Sequence, residues 1–287
     1  MMRTVIISDI TETSHSIIPY GLNIGKHTET KVDILHCFDP SIIQGTYSPY
    51  SDSQSVTPDR KLTHEEILDR EKGITSNKLS HFLSREASVL NYPLRVNTVT
   101  EIGDIENCIA KQIKDIENPL VVTATRPGRS MVVDFQELLE VLFELDTMIL
   151  IIPPGKKFTP PDKCCLVTDL QEETNKKTEK LFKWIDPLVT RVLTSAVVRV
   201  NHNSRHDNEI IKWKAALQPY AHITDIEALE VVHIDDMNIA FESICNRKGP
   251  DMAALPKNKN SFFSEYLLSG NNTQKLAETA NIPLLLY

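Results

Sequence analysis

TVIISDITETSHSIIPYGL, beginning at Thr4, and CCLVTDLQEETNKKTEKLF, beginning at Cys164, follow one physical pattern with few shared letters. Each is a short run of β-formers ending in an aspartate, Asp9 or Asp169, followed by a polar turn and a helical stripe. A second pair of stretches matches in the same way: DTMILIIP from Asp146 and NIPLLLY from Asn281 are short apolar runs that each close a segment. The two aspartates stand 160 positions apart, whereas Met148 and Pro283 stand 135 apart, so the first half holds roughly 25 residues that the second lacks. A period this long, used twice, indicates two copies of one domain-sized unit and not a solenoid of short repeats.

The remaining periodicity fills in both units. In the first, β-rich runs at 4–8 and 32–38 flank a helix at 14–27, which Ser14 can cap. Ile67, Leu68, Ile74, Leu79, Phe82, Leu83, Ala87 and Leu90 predict a long amphipathic helix over 64–90, with Gly73 as its weak point. A strand at 94–99, a helix through Ile105, Ile109, Ile113 and Ile116, a strand at 120–123, a helix at 135–145 and a strand at 147–152 complete it.

The second unit follows the same plan. A strand at 164–168 is followed by a helix around Leu181 and Ile185, a strand at 193–200 and a helix capped by Asp207. A strand at 226–232, a helix with Ile239 and Ile244, a strand at 252–255, and one final helix and strand follow. Strands alternating with helices require crossover connections, so each unit is expected to be a parallel, doubly wound α/β sheet. PPGKKFTPPD at 153–162 carries four prolines and suits a semi-rigid linker. The expected domains are therefore 1–153 and 163–287, joined by 154–162. Most of the extra residues of the first half fall at 39–63, a Ser-, Thr-, Pro- and Tyr-rich stretch that reads as a long loop: a lid, a partner arm or a solvated connection.

Composition narrows the function classes. At 287 residues and 41% hydrophobic content, the chain can bury two cores of domain size. A formal net charge of −8 argues against a nucleic-acid partner, which calls for a basic face. The five cysteines, Cys37, Cys108, Cys164, Cys165 and Cys245, form no CxxC pair and fall in apolar patterns, as reduced, packed thiols do. No apolar stretch of signal-peptide length opens the chain, and the longest apolar run, 148–154, is too short to cross a bilayer. No membrane association and a cytoplasmic location are expected.

The order of these features resembles the universal stress protein family in a tandem form. The resemblance rests on the Asp-ended first strands (IISD and LVTD), on LHC at Leu35 to Cys37 closing the second strand, and on GNNTQKLAETANIPLLLY from Gly270. It spans essentially the whole chain and implies, for each unit, a five-stranded parallel sheet in the order 3-2-1-4-5 with helices on both faces. Open sheets of this kind bind ligands where the strand order reverses, at the carboxyl ends. That crevice lies beside Asp9 and Thr123 in the first unit and beside Asp169 and Leu255 in the second.

Nucleotide-binding members of the family hold ATP with a GxxGx9G(S/T) loop after strand four, where glycines let backbone amides approach phosphate and a helix amino terminus adds positive dipole. The resemblance also implies nucleoside contacts for Asp9 and Asp169 and a base contact for Cys37 and for a residue near Val197. A carboxylate after a strand can equally cap the next helix. In the first unit the loop reads TATRPGRSMVVDF: Ala124 stands where the first glycine belongs, Gly128 is the only glycine, and Phe135 occupies the position thirteen before Met148. Gly128, Arg129 and Ser130, with Arg126 nearby, could hold an anion or form a solvated turn.

In the second unit no glycine occurs between Met252 and Ser269, so 256–260 replaces the glycine turn, while Gly270, Asn271 and Thr273 keep part of the later signal. Lys257 and Lys259 could place point charges where amides are lost, or simply solubilise a turn.

Enzyme signatures are weaker. GRSMV at Gly128 lacks the closing glycine of a nucleophile elbow. His202 and His206 are four apart, but Asn203 replaces the glutamate that a metalloprotease helix needs. The sequence therefore leads to a non-enzymatic, cytoplasmic stress-response or regulatory protein with degenerate phosphate loops and unidentified protein partners. The alternative is an ATP or AMP sensor using one half, the second being favoured, with weak ATP hydrolysis behind it. The closing strands at 148–152 and 283–287 are expected to pair as antiparallel edges in an intramolecular pseudo-dimer, with a homodimer as the other assembly.

Overall fold

The structure is a computed structural model that describes residues 2–8, 14–38, 64–90, 96–125, 135–168, 170, 175–199, 207–226, 230–234, 237–257 and 262–287. The first half runs β1 (Met2–Ile7), α1 (Ser14–His27), β2 (Lys31–Phe38), α2 (His64–Leu90), β3 (Val96–Ile102), α3 (Ile105–Ile113), β4 (Asn118–Ala124), α4 (Phe135–Glu144) and β5 (Met148–Ile152). The second runs β6 (Lys163–Thr168), α5 (Asn175–Ile185), β7 (Arg191–Arg199), α6 (Asp207–Leu217), β8 (Glu230–Ile234), α7 (Met237–Lys248), β9 (Met252–Leu255), α8 (Phe262–Leu268), α9 (Asn272–Ala280) and β10 (Leu284–Leu286).

All ten strands lie in one sheet, in the order β3-β2-β1-β4-β5-β10-β9-β6-β7-β8. Each half is thus a parallel five-stranded unit in the order 3-2-1-4-5, and the second half reads in reverse because the two meet edge to edge. The meeting is antiparallel, with Leu284 opposite Ile151, Leu285 opposite Leu150 and Leu286 opposite Ile149. Every residue of β5 and β10 is buried. Period-two alternation sends Met148 and Leu150 to one face and Ile149 and Ile151 to the other.

The core is divided differently from the expectation of one core per domain. Apolar residues sort by face of the sheet, and each cluster spans both halves. One joins Val5, Leu35, Ile109, Leu138 and Leu142 to Ala253, Phe263, Leu276 and Ile244. The other joins Ile6, Ile18, Leu22 and Leu150 to Leu166, Phe182, Trp184 and Leu285. Because the strand ladder continues across β5 and β10, each face is one continuous apolar surface, and the helices laid on it share a core whichever half they come from.

Several elements depart from the sequence reading. On α2 the expected stripe holds at Leu79, which is buried, and at Phe82 and Leu83, which pack alongside, whereas Ile74 is exposed and the neighbouring Thr75 is buried in its place. The side chains of Ile67, Leu68, Ala87 and Leu90 lie outside the described residues. The single closing helix of the second half is two, α8 and α9, broken at Gly270, whose φ of +55° is a left-handed conformation suited to glycine. Strand β8 is described from Glu230, with 227–229 outside the described residues; before them, Thr224 bridges Val192 after a 3-10 turn at Gln218–Tyr220. Ser14 and Asp207 are each the first described residue of their helix, α1 and α6.

The 153–162 segment is anchored at several points. Phe158 stacks edge-on against Tyr20 of α1 at 5.2 Å, and the Asp162 carbonyl accepts from the amides of Thr190 and Arg191. Helix α1 lies close to the sheet because of two glycines four apart: a Cβ on Gly21 would collide with the Ile6 side chain, and one on Gly25 with that of Val32. Gly73 of α2 has open space around it. Gly25→Ala should therefore lower unfolding stability by about 1–3 kcal/mol as α1 is pushed off the sheet. Gly73→Ala should raise it by about 0.5–1 kcal/mol through helix propensity alone. Urea unfolding of the two variants beside the parent protein checks both signs.

Candidate functional site

The strand order reverses between β1 and β4 in the first half and between β6 and β9 in the second, so each half has one crevice at its carboxyl edge. Asp9, Arg126, Gly128, Arg129, Ser130, Asp169, Lys259, His202, His206 and the 39–63 stretch lie outside the described residues. What is described is the floor of each crevice and the residues just beyond strand four, Thr125 in the first half and Pro256 and Lys257 in the second.

The register makes the two crevices comparable residue by residue. Ile6 lies opposite Val122, and its counterpart Leu166 lies opposite Ala254. Counting on from these pairs, Thr125 and Lys257 are equivalent. Both continue their strand in the same way: the Thr125 amide donates to the Ile152 carbonyl at 3.2 Å, and the Lys257 amide to the Tyr287 carbonyl at 2.7 Å. These are the positions from which a phosphate loop would depart.

In the second half, the Lys257 ammonium turns away from the crevice. Its Nζ donates to the carbonyls of Leu142, at 3.0 Å, and Leu145, at 2.7 Å, at the carboxyl end of α4 in the other half, where the Leu145 carbonyl also accepts from the Thr147 amide. A cation there meets the negative end of the helix dipole. The nearby charges are Asp146, Glu144, Lys177 and Lys180, and Lys180 itself pairs with Asp146 at 2.7 Å. Burial is the dominant influence and pushes the Lys257 amine down to about 7. A neutral amine still has two hydrogens to donate, so both bonds persist after deprotonation.

The crevice of the second half is also filled from the side. Tyr287, immediately after β10, is buried, and its hydroxyl donates to the Val167 carbonyl at 3.4 Å. Since β9 lies between β10 and β6, the tyrosine side chain crosses the end of β9. It meets β6 just past the point where the β6–β9 pairing stops at Leu166 and Ala254. Leu170, buried with φ +58°, lies just beyond β6; its amide donates to Thr168 Oγ1 at 3.0 Å.

The floor of the first crevice is more polar. Ser8, His36, Thr123 and Thr125 are all buried. His36 Nδ1 is 2.8 Å from the Ser8 carbonyl, and the Ser8 amide donates to the Leu35 carbonyl at 2.9 Å. Thr125 Oγ1 donates to Glu278 Oε1 of α9 at 3.2 Å, and Gln274 donates to the same oxygen at 3.0 Å. Thr125 and Lys257 therefore do the same thing with different chemistry: each reaches across to the last helix of the opposite half. Cys37, at the end of β2, is buried in the same apolar cluster as Cys108 of α3.

Gly270, Asn271 and Thr273 form a tight corner between two helices. Thr273 is buried, and its hydroxyl donates to the Leu267 carbonyl at 2.7 Å. Asn272 donates from Nδ2 to Tyr266 at 3.0 Å, and the Asn271 carbonyl accepts from the Lys275 amide at 2.9 Å. The polar atoms these contacts use serve the α8–α9 junction, while Lys257 is tied to α4; the structure gives them separate partners.

Thr125, Glu278, His36 and Tyr287 were not singled out in the sequence. The signal for Tyr287 was present: two residues after Leu285, it shares that residue's buried face. Among the described residues no group of three His, Cys, Asp or Glu side chains could hold a metal ion, and no helix is long and apolar enough to cross a membrane.

The Lys257 contact carries a pH signature. Its folded pKa, about 7, lies below the ordinary lysine value of 10.5. Between these limits the unfolded chain binds the extra proton, so the contribution of Lys257 to stability rises as pH climbs from about 7 to about 10.5. The slope has a ceiling of about 1.4 kcal/mol per pH unit. Lys257→Met should flatten this part of the urea-derived stability profile relative to the parent protein, and should destabilise more at pH 9 than at pH 6.5.

No protein-family model and no curated protein sequence matches the chain. Solved structures do. A universal stress protein from Archaeoglobus fulgidus DSM 4304 superposes with a TM-score of 0.62 at 8% identity, covering 99% of this chain and 95% of that one. A protein from Pseudomonas aeruginosa UCBPP-PA14 carrying the universal stress protein designation gives 0.53 at 11% identity, covering 99% and 92%. A functionally unknown protein from Pseudomonas aeruginosa PAO1 gives 0.53 at 11% identity, covering 99% and 91%. At these identities the likeness is one of fold: the chain has the α/β architecture of universal stress protein structures along essentially its whole length.

Proposed function

We propose that this protein is a non-enzymatic cytoplasmic regulator of the universal stress protein type that works through protein partners and has given up tight adenine-nucleotide binding. The carrying observation is the use of the equivalent residue just beyond strand four in both halves. Lys257 places its amine on the α4 carbonyls, and Thr125 places its hydroxyl on the Glu278 carboxylate.

A phosphate loop needs amides and positive charge at this position. In the second half the nearest described cation is already bonded elsewhere, and Pro256 beside it has no amide hydrogen. In the first half the equivalent residue, Thr125, holds the Glu278 carboxylate, whose charge would oppose a polyanion brought beside it. The competing reading, an ATP or AMP sensor in the second half, requires Lys257 to leave the α4 carbonyls and Tyr287 to swing off β9. ATP hydrolysis would need that site first.

Calorimetric titration of the full chain with ATP, ADP and AMP in the presence of Mg2+ tests the proposal. No binding heat is expected up to about 1 mM nucleotide, which corresponds to less than about 4 kcal/mol of binding free energy. Micromolar binding that Gly270→Trp abolishes would overturn the proposal in favour of a second-half sensor.

A further inference from the structure

We propose that β3, at one end of the sheet, is a homodimerisation strand that pairs antiparallel with the β3 of a second copy about a twofold axis at Val99. The ten-stranded sheet has two ends, and among the described residues β3 pairs with β2 alone and β8 with β7 alone. Each end offers a row of backbone N–H and C=O groups directed outward. β3 is the longer of the two strands, seven residues against five, and it contains neither proline nor lysine, the residues that commonly blunt an edge.

The order of residues along β3 selects a second copy as the partner, because a twofold contact requires a strand to match its own reverse. VNTVTEI does so about its centre: Val96 comes opposite Ile102, Asn97 opposite Glu101, Thr98 opposite Thr100, and Val99 opposite itself. Apolar meets apolar, hydroxyl meets hydroxyl and amide meets carboxylate, all pairs that favour antiparallel sheets. A slip of two residues, the smallest that keeps each face, sets Val99 against Glu101 or Asn97. The faces match as well: Val96 packs with the apolar cluster on one side of the sheet and Val99 with that on the other, and an axis normal to the sheet continues each into its own kind. Glu101 Oε2 already accepts from Lys111 Nζ at 2.8 Å, so a second strand beside it does not bury an uncompensated charge.

The contact repeats, at the outer end of the sheet, the antiparallel edge-to-edge join that β5 and β10 make at its middle. It also brings the two copies of α2, which packs on β3, to the same face of the joined sheet as neighbours. Ile74, exposed on that helix, is apolar surface available to this second contact. Pairing β3 with the β8 of the next copy would instead be head-to-tail and would build open chains. The inference goes beyond the proposed function and is independent of whether either half binds nucleotide.

Sedimentation velocity of the intact chain over a concentration series tests it, the monomer being 32.5 kDa. A reversible monomer–dimer equilibrium is expected. Asn97 is exposed, so two substitutions there spare the fold and act in opposite directions on the dimer. Asn97→Glu sets a carboxylate against Glu101 twice per dimer and should raise the dissociation constant about 2- to 30-fold, whereas Asn97→Lys should lower it by a similar factor at low salt. Hydrogen exchange of the β3 amides should slow as protein concentration rises, while that of β8 should not. A monomer at every concentration up to about 0.2 mM, a dimer whose dissociation constant neither substitution shifts, or chains longer than two copies would each overturn the proposal.

Discussion

The antiparallel pairing of β5 with β10 is the constraint on which the molecule depends. Each half, taken alone, ends its sheet in a strand of wholly apolar residues whose outer N–H and C=O groups would be unpaired, a surface prone to indiscriminate association. Joining the two edges satisfies the backbone and makes both faces of the sheet continuous. The helices then need no boundary between the halves: α4 approaches α8, where Gln136 donates to the Leu268 carbonyl at 2.5 Å, and α5 approaches the base of the first half, where Asn118 donates to the Lys180 carbonyl at 3.1 Å.

That seam brings each carboxyl-edge crevice close to the last helix of the opposite half. The consequence is competition for the same few atoms. The residue that begins a phosphate loop is also the one best placed to satisfy the neighbouring helix, and here the helix has it in both crevices. Two hydrogen bonds from an amine are present whether it is charged or neutral, whereas a nucleotide contributes only when bound.

The fold was legible because its signals are local and repeated. The Asp-ended strands at Thr4 and Cys164 and the buried runs at Met148 and Asn281 state strand type and direction without reference to the rest of the chain. One position of α2 was less legible: Thr75 and Ile74 are adjacent, and only the sheet beneath decides which faces inward. The site was read in part. The loss of glycines after strand four is visible as letters, and so is the charge on Lys257. The destination of that charge is not, because the α4 carbonyls lie more than a hundred residues away and acceptor groups on the backbone leave no mark in the sequence.

Thr125 and Lys257 show what two alike halves in one chain permit. Two identical subunits about a twofold axis must use one side chain at both equivalent places, so any change is made twice and must suit both at once. Where two halves of like topology share a chain, the equivalence is geometric and not genetic. One side has become a hydroxyl facing a carboxylate, the other an amine facing a helix end, and neither solution constrains the other. The same freedom applies to the crevices themselves: the one crossed by Tyr287 and the one floored by Ser8 and His36 can drift toward different chemistry while a single shared sheet holds both in place.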